Sequence, residues 1–129
     1  MKKRPESSRL RDFNGLQTMT APQKPDEAED RLAPLRPAYL RRLTLRQADI
    51  VNAAAIAGTR PLGDDELREI HRIAHSMGSS AAIYGYAQLS EAARAAERIL
   101  EDPVSTANAR NECLRHLACE AEAVLQPKI

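Results

Sequence analysis

The chain has 129 residues, enough for one domain with a core of its own and too few for two of ordinary size. Its 43% hydrophobic content includes only 3% aromatic residues, so the core must be built from Leu, Ile, Val and Ala, the composition of helix packed on helix. A net charge of +1, with three Tyr and one Phe, excludes a charge-driven association with anionic membrane and lacks the stacking platforms of a nucleic-acid binder.

Residues 1 to about 34 carry Pro5, Pro22, Pro25 and Pro34, scattered polar residues and an acidic cluster at Asp26, Glu27, Glu29 and Asp30. No apolar period is sustained there, which predicts a disordered or loosely attached tail ahead of a folded unit over 35–129. The basic start, Lys2, Lys3 and Arg4, is not followed by the apolar stretch of a leader. No run approaches the roughly 18 to 20 apolar residues of a membrane span. The expectation is a soluble, cytoplasmic, monomeric protein with no nucleic-acid or membrane partner.

Four helical segments follow. The first, about 36–58, repeats Leu40, Leu43, Ile50, Ala54 and Ala57, and Gly58 with Pro61 stops it. The second, about 64–84, opens on Gly63 or Asp64 as cap, with Asp64, Asp65 and Glu66 where the helix dipole favours acids. Leu67, Ile70, Ala74, Met77, Ala81 and Tyr84 then form the most regular stripe in the chain. The third, about 86–101, buries Leu89, Ala92 or Ala93, Ala96 and Ile99. Its other side carries Glu91, Arg94, Glu97, Arg98 and Glu101, which reads as a solvated face without function. Pro103 ends it, and Ser105 or Thr106 caps the fourth, about 106–126, with the stripe Leu114, Leu117, Ala121 and Val124. Four amphipathic helices on short connections predict an all-α fold, an antiparallel up-down-up-down four-helix bundle. No glycine-rich phosphate loop follows a strand, which argues against nucleotide chemistry in this chain.

Histidine 75 stands out from this frame. At about 100° per residue, the second stripe centres some 120° away from His75, which turns the imidazole to solvent. Arg68, Arg72, Ser79, Ala82 and Tyr86 fall on the same side, arginines before the histidine and small residues after it. Gly78, Ser79 and Ala82 are weak or small choices for a helix and leave the ground beyond His75 nearly flat, open to a docked partner. Histidine's ordinary pKa of about 6.5 leaves a solvated imidazole largely neutral at pH 7, with a lone pair able to attack an activated phosphoryl group. His71, one turn earlier and nearer the core boundary, reads as a packing residue. A metal site is the competing pattern, because His71 and His75 at i, i+4 can share an ion with Cys113, His116 or Cys119. The stripe turns His75 away from the fourth helix and argues against it. Cys113 and Cys119, about 120° apart on a helix, read instead as buried or half-buried thiols in a reducing compartment.

The block from Ile70 to Leu100, IHRIAHSMGSSAAIYGYAQLSEAARAAERIL, resembles the histidine-containing phosphotransfer (HPt) domain family of multistep two-component phosphorelays. In that family an alanine and the phospho-accepting histidine precede a run of small residues and a glycine ten positions after the histidine. Ala74 and His75, then Ser79, Ser80, Ala81 and Ala82, then Gly85 match, with Leu89, Ala93 and Glu97 on the next helix. The resemblance implies a phosphoryl carrier without a kinase or ATP site of its own. His75 would accept the group from a receiver-domain aspartate and pass it to another response-regulator receiver, with a hybrid histidine kinase as a further partner. No cofactor would be bound by this chain, and Mg2+ would sit on the partner receiver. Arg68, His71, Arg72, Gly78, Ser79, Ala82 and Tyr86 would lie near the phosphate or the docked partner. The sequence departs from the family where Lys and Gly commonly stand three and four after the histidine, since Gly78 and Ser79 occupy those positions. Charge neutralisation would then fall to Arg68, Arg72 or the partner. A receiver-binding adaptor of the same fold that carries no phosphate is the alternative.

Overall fold

The structure is a computed structural model and describes residues 25–126. Residues 1–24, most of the expected tail, lie outside the described residues. The chain divides after Pro34 into two units.

The described part of the first unit corrects the sequence expectation. Residues 25–34 are helical, with α1 over Pro25–Leu32 and a 3-10 turn over Ala33–Leu35. Proline is pre-set for the first helical position, where its missing N–H costs nothing. The acidic residues behind it occupy the first turn and Arg31 the last, as the helix dipole favours. What reads as a solvated acidic cluster is a helix start.

The second unit holds α2 (Arg36–Ala57), α3 (Asp64–Ile83), α4 (Ala87–Glu101) and α5 (Ala107–Leu125). No strand occurs among the described residues, and no helix there is long and apolar enough to cross a membrane. α2 packs chiefly on α5, α3 on α4, and α4 also on α5.

Local chemistry sets the helix ends. Gly63, extended at φ −73° and ψ 169°, caps α3, and its N–H donates to the Glu66 carboxylate at 2.8 Å. The Arg60 guanidinium grips the same carboxylate from its two terminal nitrogens at 2.9 and 2.8 Å. Arg60 first, and then the Gly63 N–H, hold the Glu66 carboxyl down at about 2. α3 ends in a Schellman turn: Tyr86 N–H donates to Ala81 C=O at 2.8 Å and Gly85 N–H to Ala82 C=O at 3.3 Å. Gly85 sits at φ +84°, which a side chain rarely tolerates. At α5 the Thr106 hydroxyl accepts from Ala109 N–H at 3.0 Å, the cap its sequence predicts.

The core is aliphatic and alanine-rich, with Ile50, Leu89, Leu114 and Leu117 its largest fully buried side chains. Each helix faces two neighbours, so the buried stripes are broader than the sequence periods suggest. Tyr39, Ala53, Ile73, Leu100 and Ala118 join the core, whereas Leu40, Ile99 and Val124 are only half-buried. All three tyrosines gather at one end. Tyr39 stacks on Tyr84 at 4.2 Å and faces Tyr86 at 5.9 Å. Arg36 lies over the Tyr84 and Tyr86 rings and donates to the Tyr86 hydroxyl at 2.9 Å. Burial pushes the Tyr39 phenol up to about 12. This cluster fastens the α3–α4 turn to α2, and the turn sets how α4 lies along α3.

Candidate functional site

α3 and α4 touch most closely where α3 has no side chain. A Cβ built on Gly78 would stand 3.3 Å from the Ala93 Cβ, so only glycine allows the helices this close without adjustment. The buried Ser90 hydroxyl donates to the Gly78 carbonyl at 2.9 Å, which locks the seam in register. About one turn away along α3 the seam opens and becomes polar.

There His75 presents its imidazole with 68% of the side chain exposed. Its Nδ1 lies 2.8 Å from Glu97 Oε2, a carboxylate on α4 that is only 16% exposed. An ionised carboxylate can only accept, so Nδ1 is the donor and carries the ring proton. The tautomer follows from that bond: Nε2 holds the free lone pair, and no hydrogen bond to it occurs among the described residues. One turn earlier His71, half-buried, sets its Nε2 2.7 Å from Glu101 Oε2 and 3.8 Å from Glu97 Oε2. Two imidazoles on α3 thus meet two carboxylates on α4.

The remaining predicted residues are distributed unevenly. Ser79 and Ala82 are exposed beyond His75, as the helical arithmetic expects, and exposed Ile83 extends their surface. Arg68 and Arg72 are exposed on the other side of the histidine, but each pairs within its own helix, Arg68 with Asp65 and Arg72 with Glu69. Gly78 is a correction. It does not lie on the flat outer ground but is buried between the helices, and a side chain there would run onto Ala93 and toward Arg94, whose Cγ lies 3.7 Å from the built Cβ. Tyr86 is a second correction. The helical period ends at Gly85, so Tyr86 turns back into the tyrosine cluster instead of facing outward with His75.

Sequence reasoning missed Glu97 and Glu101, taken for a solvated face. His71 pairs with both instead of serving as simple packing. Among the described residues, His71, Glu97 and Glu101 form the group whose ligand atoms all lie within 4.8 Å of one another, a set able to hold a metal ion. Cys113, His116 and Cys119 take no part in it. Cys113 is half-buried, and burial pushes its thiol up to about 11, whereas Cys119 is exposed, contrary to the buried or half-buried position expected.

Compared with known proteins, the chain matches the family model of the Hpt domain over residues 26–126. No curated protein and no solved structure matches it.

Proposed function

Because this chain belongs to the Hpt domain family, whose domains serve histidine phosphotransfer between kinases and receiver domains of two-component systems, we propose that it is a phosphoryl carrier with His75 as the acceptor. The observation that carries this reading is the bond from His75 Nδ1 to Glu97 at 2.8 Å on an otherwise exposed imidazole. It leaves Nε2 as the nucleophile, aimed outward from the bundle.

Transfer then proceeds as follows. A receiver aspartyl phosphate, with the receiver's own Mg2+, docks over α3 against Ser79, Ala82 and Ile83. The Nε2 lone pair attacks phosphorus in line; the N–P bond forms as the P–O bond to aspartate breaks, and the electron pair leaves with the aspartate carboxylate. No proton has to depart first. The ring becomes cationic while Nδ1–H stays bonded to Glu97, whose negative charge offsets the one that develops. Reversing the step onto another response-regulator receiver discharges the carrier.

The same reading takes the helices as an up-down-up-down bundle of one chain. Supporting it, His75 meets Glu97 while His71 meets Glu101, and Asn111 bonds to Ala54 while Gln47 bonds to Glu122, so residue numbers run oppositely along both seams.

The test incubates the full chain with a phosphorylated receiver and Mg2+. Acid-labile label on the wild type and none on His75→Gln is the expected result. A wild type that binds receivers without taking label, with binding unchanged in His75→Gln, overturns transfer in favour of a non-phosphorylated adaptor. That alternative has one supporting observation: no Lys stands beside His75, and Arg68 and Arg72 are each held by a carboxylate of their own helix.

A further inference from the structure

The carboxylates along α3 and those on α4 are neutralised differently. On α3, Asp65, Glu66 and Glu69 each pair with an arginine: Arg68, Arg60 and Arg72. On α4, Glu97 and Glu101 have no Lys or Arg nitrogen within 4 Å among the described residues and face only the imidazoles of His71 and His75. Glu97 is held in place by its burial, and Glu101, 59% exposed, leaves the outer side open to water.

We propose that His71 Nε2 and the carboxylate oxygens of Glu97 and Glu101 bind a divalent transition-metal ion of the zinc class, and that this ion competes with His75 for Glu97. The three ligand atoms already converge, with His71 Nε2 2.7 Å from Glu101 and 3.8 Å from Glu97. Tetrahedral ligands about 2.0 to 2.1 Å from Zn2+ stand roughly 3.3 Å apart, a spacing between those two distances and reached by shifts of about half an ångström. Water completes the coordination from the open side. One imidazole with two carboxylates favours Zn2+, Co2+ or Ni2+ over Mg2+ or Ca2+, which prefer oxygen alone. Coordination displaces the Nε2 proton of His71 to Nδ1 or to solvent, so binding releases protons wherever that ring is charged.

The regulatory half rests on the phosphotransfer reading. Glu97 Oε2 is the atom that meets both His75 Nδ1 and His71 Nε2. A metal ion on that oxygen withdraws the acceptor that holds the His75 tautomer, so the loaded carrier takes phosphoryl more slowly.

Calorimetric titration of the full, untagged chain with Zn2+, and the visible absorption of Co2+ in its place, tests the site directly. One ion per chain is expected, with affinity reduced at least ~10-fold in His71→Ala and in Glu101→Gln and unchanged in His116→Ala. Circular dichroism establishes that each variant is folded. Equal affinity in wild type, His71→Ala and Glu101→Gln, or the absence of saturable binding, overturns the site. Zn2+ should slow labelling of the wild type more than that of Glu101→Gln with the same receiver; equal slowing overturns the competition with His75. If the wild type never takes label, the carrier reading fails, and the titration still judges the metal site on its own.

Discussion

Two helix seams of the bundle are closed by the same device and differ in what lies one turn away. Across α3–α4, Ser90 donates to the Gly78 carbonyl at 2.9 Å; across α2–α5, Asn111 donates to the Ala54 carbonyl at 2.7 Å. Each uses one polar side chain to fix register on a backbone acceptor, which helical periodicity alone leaves free to slide. Beyond its lock the α2–α5 seam continues with an exposed bond from Gln47 to Glu122 at 3.1 Å. The α3–α4 seam instead continues into His75, His71, Glu97 and Glu101. The lesson is that the reactive histidine is positioned by an ordinary packing device and made different by its carboxylate neighbours.

The difference in closeness is the easiest to break. Gly78→Lys places the residue common in the family at this position, but its Cβ meets Ala93 at 3.3 Å on a helix that cannot easily recede. Overpacking of this kind costs about 1 to 3 kcal/mol, against a gain of under about 1 kcal/mol from replacing a helical glycine. A net loss of about 1 to 2 kcal/mol is expected in urea denaturation. On the other seam, the Cβ of Gly58→Lys meets the Asn111 amide at 3.2 Å, the end of a side chain that can move aside. That variant should lose no more than the Asn111 bond, about 1 kcal/mol. If Gly78→Lys is instead as stable as the wild type, the seam is looser than described and the lysine position is open after all.

The two locks themselves should be equal. Ser90→Ala and Asn111→Ala each remove one hydrogen bond to a backbone carbonyl, and the Ala54 carbonyl keeps a bond from Gly58 N–H at 3.0 Å. Each variant is expected to lose about 1 kcal/mol in the same denaturation experiment. A large loss in only one of them would show that a single seam carries the register of the bundle.

Much of this arrangement can be read from the sequence, and what cannot has a physical cause. The α3 cap, the Thr106 cap, the glycine at the α3 end and the outward turn of His75 all follow from local rules, because each concerns residues within one or two turns. Glu97 escapes those rules. Its partner lies 22 residues away on another helix, and within α4 it reads as one more member of a charge run. Gly78 was legible in part: at about 100° per residue it falls some 60° from the centre of the α3 stripe, inside a buried arc widened by a second neighbouring helix. Tyr86 misleads because the period of α3 does not survive the positive φ of Gly85. Proline and acidic residues at 25–30 serve equally for a solvated tail and a helix start, and composition cannot separate the two.

The smallest effect concerns how the second helix of each seam begins. α5 starts on a neutral cap, the Thr106 hydroxyl, whereas α3 starts on an ionised one, with Glu66 bonded to Gly63 N–H and gripped by Arg60. The Glu66 carboxyl is held at about 2 in the folded chain, below its ordinary value of 4.5. A depressed folded value means that the unfolded chain takes up the proton first as pH falls. The contribution is therefore complete above about 4.5 and is lost progressively down to about 2. Glu66→Gln removes the charge and keeps an amide oxygen for the Gly63 N–H. It should be slightly less stable than the wild type at pH 7, because exposed ion pairs are weak and screened. The gap should narrow between pH 4.5 and pH 2 and close below it. Thr106→Ala should show a difference from wild type that stays flat across the same window, since a hydroxyl cap does not titrate. Thermal melts of both variants from pH 7 to pH 2 measure it, and parallel curves would mean that the Glu66 carboxylate contributes nothing beyond a neutral acceptor.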